Sequence, residues 1–381
     1  LPQAFAALAS LGAPILHYKV CSTFDSSPTT GSIGRAIELG TAAMPGSRWS
    51  PTIVGAPRLK RYQVFGHLFA VVDGVGHRLD RHPTMARHPV TPMSESDLRR
   101  HLAAQTSRRI ELVDMVQLRA GTAAARIHAL AGDDAPVVFI DVLDEETLAA
   151  AGALVWQRRG AGLFSASSSG LQYALAAHWR ALGLLPATPS LPAAAPVAAI
   201  AVVSGSCSPV TAAQIGWART NGFHTERLQL ARALEARTRE AEIERVVGTA
   251  TDALAHGVSP LVFSAEGPDD PSVTGFDAIA RAAGLARADA ARGVGTALAD
   301  VTRRILDRAR PGRIVVAGGD SSGEVASALE IEALTVIAGI APGAPLCRAW
   351  SSDARRDGLE LVLKGGQMGT ADFFGRVRAG Q

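Results

Sequence analysis

Residues 315–329 read Val-Val-Ala-Gly-Gly-Asp-Ser-Ser-Gly-Glu-Val-Ala-Ser-Ala-Leu. An apolar strand ends, glycines turn the chain, and a helix begins. Ser321 and Glu324 have the spacing of a capping box at the helix start. Gly318, Gly319 and Gly323 let backbone amides approach a ligand with no Cβ in the way. Free amides at a helix N-terminus suit phosphate. The alternative is an ordinary capped strand-to-helix turn.

The same grammar recurs twice nearby. Ala201-Val-Val-Ser-Gly-Ser-Cys-Ser-Pro runs from a strand into a small-residue loop, with Ser204, Gly205 and Ser206 at the turn and Thr211 and Gln214 as expected caps of the next helix. Cys207 reads as a buried small thiol, since no histidine lies near it in sequence. Leu361-Val-Leu-Lys-Gly-Gly-Gln-Met-Gly ends a strand at Lys364 and turns at Gly365 and Gly366. A lysine there acts as a point charge toward phosphate. Parallel strands present their C-terminal ends on one edge, where ligands collect. GxxxxGK[ST] is absent, and no GxGxxG follows a strand, so neither a Walker A loop nor dinucleotide binding is supported.

Further out, strand-like runs alternate with helical ones. Ile110–Val116 precedes an Ala-rich helix from about Thr122, and Pro136–Val142 precedes a helix opened by Asp144-Glu-Glu-Thr. Val294, Leu298, Val301 and Ile305 form one buried stripe of a later helix. The expected fold is α/β, with two domains that each hold a largely parallel sheet flanked by helices. The uncharged, Pro-rich Leu182–Ala194 reads as a linker, giving domains at 1–186 and 196–381. Ser165-Ala-Ser-Ser-Ser-Gly170 reads as another small-residue turn, a binding edge or a cap.

Composition narrows the function. The chain has 381 residues, 47% hydrophobic, with net charge +3, ample for a core and without the charge that nucleic acid demands. Three scattered cysteines argue against disulfides and structural zinc and for a cytoplasmic setting. The most apolar run is short and broken by prolines, so no membrane span is expected. No metal ligand set is assigned.

In the first half, Lys19–Gly34 (KVCSTFDSSPTTGSIG) follows an apolar run and carries one acid among many hydroxyls, ahead of a helix expected to close at Gly40. Lys19, Ser22 and Asp25 stand out in it, and the family resemblance given below makes them candidates to contact a small polyol acid; a structural cap of the next turn is the alternative for Asp25. Arg81, His82, Arg87 and His88, set among prolines, are candidates to grip a carboxylate, which arginine does bidentately; a solvated surface loop is the alternative.

Six stretches together resemble the four-carbon acid sugar kinases, which include 3-oxo-tetronate, threonate and erythronate kinases. They are KVCSTFDSSPTTGSIG, RHPVTPMSESDL, SGSCS, AGGDSSG, PGAPLC and LKGGQMG…DFF, in order from about Tyr18 to Phe374. The resemblance implies a substrate-binding domain followed by a nucleotide-binding domain. It also implies ATP- and Mg²⁺-dependent phosphorylation of the terminal C4 hydroxyl of a four-carbon sugar acid. By matching motif, Ser204, the Gly318-Gly319-Asp320-Ser321 turn and a glycine of Lys364-Gly365-Gly366, Gly366 being the choice, would face ATP; Gly205, Ser206, Lys364 and Gly365 join them as candidates from the turns themselves, with Asp320 an indirect partner of the ion. Asp25 is the candidate catalytic base, and the two domains are expected to close over both ligands. Complete family members begin with a strand and Asp-Asp-x-Thr-Gly-Ala, which nothing here matches; the expectation is that the given chain starts after that part. The rival readings are a non-catalytic nucleotide-binding module and, with least support, a nicotinamide-dependent oxidoreductase. A homo-oligomer is compatible with the sequence.

Overall fold

A computed structural model describes residues 1–72, 74–87, 91–186 and 191–381. The chain divides into two compact units, Leu1–Pro189 and Ser190–Gln381. Each buries its own apolar clusters.

The first unit contains strands β1 (Ile15–Lys19), β2 (Ser50–Thr52), β3 (Arg61–Val64), β4 (His67–Val72), β5 (Val75–Arg78), β6 (Ile110–Val113), β7 (Val137–Ile140) and β8 (Leu163–Ser167). β1 pairs with β8, and β2-β7-β6 form a second ladder, all parallel. β7 and β8 are buried along their whole length, as strands covered on both faces should be.

Between β8 and β2 the sheet is stitched by side chains. Pro51 has no N–H to offer a neighbour. Instead Ser165 Oγ donates to Pro51 O at 2.7 Å, Ser50 Oγ donates to Phe164 O at 2.8 Å, and Ile53 N donates to Ser167 Oγ at 2.8 Å. Ser165 and Ser167 therefore belong to a buried strand, not to a turn; Ser168 alone caps the following helix, Ser169–Ala181, by accepting from Gly170 N. Helix Ile33–Ala43 runs past Gly40 rather than closing there. Gly40 is a contact glycine: a Cβ would stand 1.9 Å from the Phe164 ring.

β3-β4-β5 form an antiparallel meander that the sequence reading did not anticipate. Buried Asp141, just past β7, pins it. Its carboxylate accepts from Phe65 N (2.5 Å), Gly66 N (2.9 Å) and Met115 N (3.2 Å), while burial pushes its pKa up to about 6.

The second unit is one seven-stranded sheet of β9 (Ala201–Ser204), β10 (Phe223–Arg227), β11 (Ser259–Phe263), β12 (Arg313–Ala317), β13 (Ala333–Ala341), β14 (Ala344–Trp350) and β15 (Glu360–Lys364). Its order is β10-β11-β9-β12-β15-β14-β13, parallel through β15 and antiparallel at β14 and β13. From β9 the chain crosses to β10 on one side; from β12 it goes to β13 on the other. The connections thus diverge between β9 and β12, the point where open α/β sheets take ligands. Helix Arg287–Ala309 lays Leu298, Val301 and Ile305 into the core beneath them.

Candidate active site

In the second unit, three strands end level. Ser204 of β9 stands opposite Ala317 of β12, and Ala317 opposite Lys364 of β15. Just beyond, Gly205 N donates to Ala317 O (3.0 Å) and Gly318 N to Lys364 O (2.9 Å). The structure therefore brings Ser204–Ser206, Gly318–Ser321 and Lys364–Gly366 together along one sheet edge. The turns interlock. A Cβ on Gly205 would lie 2.0 Å from Ser321 Oγ, and one on Gly366 would lie 2.5 Å from Ser206 Oγ. Gly318 has φ +120°, a region closed to most L-residues.

Helix Gly319–Ala328 has Gly318 as N-cap, without a side-chain cap. The expected capping box is not formed: Ser321 sits inside the first turn, buried against Gly205. The consequence is chemical. The Ser322 amide reaches Gly318 O, but those of Gly319, Asp320 and Ser321 meet no acceptor among the described residues. Such orphan donors at a helix start carry partial positive charge.

The cap of helix Pro209–Thr220 is Ser208, which accepts from Val210 N. Thr211 and Gln214 are not caps. They are buried and face the turn after β15, where Thr211 Oγ1 donates to Gly366 O (2.9 Å) and Gln214 Nε2 to Met368 O (2.9 Å) and Thr370 O (3.0 Å). Their i,i+3 spacing on one helix face was the available signal. Cys207 is exposed, contrary to the buried thiol expected.

Lys364 is 1% exposed. Its Nζ donates to Thr211 Oγ1 at 3.2 Å and lies 5.8 Å from the Phe373 ring centre. It pairs with no carboxylate among the described residues, and burial pulls its pKa down to about 8. Orphan amides, glycines that admit no Cβ and a sequestered ammonium form a positive edge chemically suited to a polyphosphate. Asp320 is exposed at its rim, where a carboxylate can meet a hydrated cation.

In the first unit, Lys19 ends β1 and is exposed; Ser22 is half-buried in the loop that follows. Asp25 is also half-buried, with Oδ1 accepting from Thr23 Oγ1 and Oδ2 from Thr91 Oγ1 at 3.2 Å. The loop is anchored from outside. Ser26 Oγ lies 3.0 Å from His101 Nε2 and accepts from Gln105 Nε2 at 2.9 Å, and Gln105 Oε1 accepts from Ile33 N at 2.9 Å. Burial lowers the His101 pKa. His101 and Gln105 had gone unread, and Thr91 had been read only as part of a matching block, because each stands far from the loop in sequence.

Arg81, His82 and Arg87 gather around an open cavity of about 310 Å³, with Asp80, Pro83 and Ala86 completing the wall. Arg81 and Arg87 are exposed. His82 is buried, its Nδ1 accepting from Thr84 N (3.2 Å) and Met85 N (3.3 Å), so it also shapes the turn. His88 lies outside the described residues.

Known proteins match both units. Residues 1–175 match the family of sugar-binding N-terminal domains, and residues 201–374 that of nucleotide-binding C-terminal domains. The chain is 72% identical to a 3-oxo-isoapionate kinase of Paraburkholderia graminis, over all of this chain and 81% of that protein. It is 33% identical to a 3-oxo-tetronate kinase of Cupriavidus necator, over 94% of this chain and 77% of that one. Among solved structures, a Salmonella typhimurium protein named a putative tRNA synthase superposes with a TM-score of 0.74 at 25% identity, covering 97% of this chain and 82% of the other. A Haemophilus influenzae protein shares the fold, with a TM-score of 0.64 at 24% identity, covering 99% and 84%. Among the described residues, no helix is long and apolar enough to cross a membrane. Two matched domains in order, and such identity over the full chain, establish that it belongs to the four-carbon acid sugar kinases and is an ATP-dependent kinase of carbohydrate acids.

Proposed function

We propose that the protein phosphorylates the terminal C4 hydroxyl of a short 3-oxo sugar acid, with 3-oxo-isoapionate the first candidate and a 3-oxo-tetronate the second. The identity to a 3-oxo-isoapionate kinase sets that order. The observation that carries the nucleotide half is the level ending of β9, β12 and β15, with three amides that meet no acceptor among the described residues and a buried lysine at the end of β15.

In this reading, Ser204, Gly205, Ser206, Gly318, Gly319, Ser321, Gly365 and Gly366 line the phosphates of ATP. Lys364 acts as a charge beneath them rather than as a surface clamp. Mg²⁺, when bound, neutralises phosphate charge, and Asp320 would meet it through water. Lys19, Ser22 and the Arg81/His82/Arg87 cavity serve the sugar acid. Asp25, held by two threonine hydroxyls, takes the proton of the attacking hydroxyl. Phosphoryl transfer asks little more of a protein than positioning and charge stabilisation.

The test is ADP formation from ATP with each acid, and the phosphorylation position by NMR of the product. Turnover of a 3-oxo acid with phosphate on C4 is expected. ATP binding with no acid-dependent ADP would favour the non-catalytic module instead. Asp25→Asn should lower kcat by about 10²- to 10⁴-fold, the usual worth of a general base; an unchanged kcat would remove Asp25 from that role.

A further inference from the structure

The first unit holds an arginine without a counter-ion. Arg61 opens β3, half-buried, and forms no ion pair with a carboxylate among the described residues. Its Nη1 donates to Leu59 O and Lys60 O, both at 3.2 Å. Its Nε is buried and unbonded, and Nη2 meets no acceptor among the described residues. The Nε–Nη2 edge, the side of the fork that takes a carboxylate with two parallel bonds, is therefore vacant. Arg126 and Arg356 also have an unbonded Nε and Arg348 an unbonded Nη1, but each meets carboxylates through its other nitrogens. Arg180 Nε is likewise unbonded, and Arg180 forms no ion pair among the described residues, but it lies on helix Ser169–Ala181 and not on the meander. Arg313, 1% exposed, is met by Glu360 at 2.5 Å. Burying part of a cation with no counter-charge is costly, so an anion suits this open edge.

The surroundings fit one. Arg61 pairs with Ala70 across β3–β4, and Ala70 with His77 across β4–β5. Opposed residues share a face of a sheet, so Arg61 and His77 flank small Ala70 on the same side of the meander. The His82 ring meets His77 edge-on at 6.0 Å. Arg61 helps lower the His82 pKa, after burial, and Cys21 opposes the lowering of the Arg61 pKa that burial causes. Cys21 lies four residues before Asp25, in the loop assigned above to the acceptor.

We propose that Arg61 receives the carboxylate of the sugar acid on its Nε–Nη2 edge, at a basic face shared with His77 and His82. The exposed Arg81 and Arg87 then stand at the rim, not at the carboxylate. This inference rests on the reading of the first unit as the acceptor site.

Steady-state kinetics with freshly prepared 3-oxo-isoapionate test it, beside calorimetric titrations of ATP and of the acid. Arg61→Gln should raise the KM and Kd for the acid by roughly 10- to 100-fold, the worth of a charge-assisted bidentate contact. Its kcat and ATP affinity should stay close to wild type. Arg61→Lys, which keeps the charge but loses the fork, should fall between. The neutral methyl ester of the acid should bind wild type and Arg61→Gln equally weakly. An unchanged KM for the acid would overturn the proposal. So would a loss that falls on ATP instead, which would assign the anion to a phosphate, or a lowered melting temperature with acid binding intact, which would make Arg61 a brace for residues 59 and 60. If Arg61→Gln does not fold, Arg61→Lys decides by the same KM comparison. Wild type that binds ATP yet neither binds nor turns over any acid would sink the functional reading as well. Wild-type turnover with an indifferent Arg61→Gln would sink this inference alone.

Discussion

Lys364 shows how one residue can be conspicuous in sequence and still be misjudged in place. The chain is rich in arginine and holds only three lysines, at 19, 60 and 364, so a lysine before Gly-Gly stands out. What the sequence did not disclose is that the ammonium is sealed under the turn and shares a hydroxyl with its neighbour. Its pKa in the folded protein, about 8, lies below the ordinary lysine value of 10.5. Below pH 8 the amine is charged both folded and unfolded, and the full cost of burying it opposes folding. Between about 8 and 10.5 the unfolded chain holds the extra proton, so this cost shrinks as pH rises. Lys364→Met should therefore raise the melting temperature of the nucleotide-free protein, most below pH 8 and progressively less toward pH 10.5. The same variant should weaken ATP binding by roughly 10- to 100-fold. In wild type, ATP favours the charged form, so its affinity should fall as pH climbs through 8, with proton uptake on binding seen by calorimetry in buffers of different ionisation enthalpy. Arg61 is the opposite case. Nothing in an arginine-rich sequence sets apart an arginine that lacks a counter-ion; only pairing partners assigned in three dimensions do.

Among elements, legibility followed burial. β7 and β12 are continuous apolar runs because both faces are covered, and they read as strands at once. β8 was missed because its sequence, Leu-Phe-Ser-Ala-Ser, trades apolar side chains for hydroxyls that replace a missing main-chain ladder. Ser165→Ala should strand Pro51 O and cost about 1–3 kcal/mol, the desolvation penalty of an unsatisfied buried acceptor. Urea unfolding would report this as a lower midpoint at unchanged m. The β3–β5 meander was missed for another reason: its strands are short and only partly buried, so the period-2 signal is faint. The caps of helices Pro209–Thr220 and Gly319–Ala328 were displaced by a few positions because serines and threonines crowd both turns, and tertiary contacts chose among them.

At the scale of the molecule, alternation of strand and helix was enough to give the class of fold, since parallel strands require covered faces and crossover helices. The ordered blocks from the Lys19 loop to the Phe373–Phe374 pair were enough to give the family, and the full-length similarity to sugar-acid kinases agrees. The proposed acceptor residues were less legible. Asp25 meets Thr91, and Arg61 shares a sheet face with His77, only in the folded unit, since all four come from separate stretches.

Sealing Lys364 leaves Lys19 and Lys60 as the lysines whose amines stand at the surface. The outer positive charge of the chain is thus almost wholly guanidinium. Acetylating enzymes and amine-directed crosslinkers find very little to grip on such a coat, and the lysine beneath the glycine turn is shielded from both.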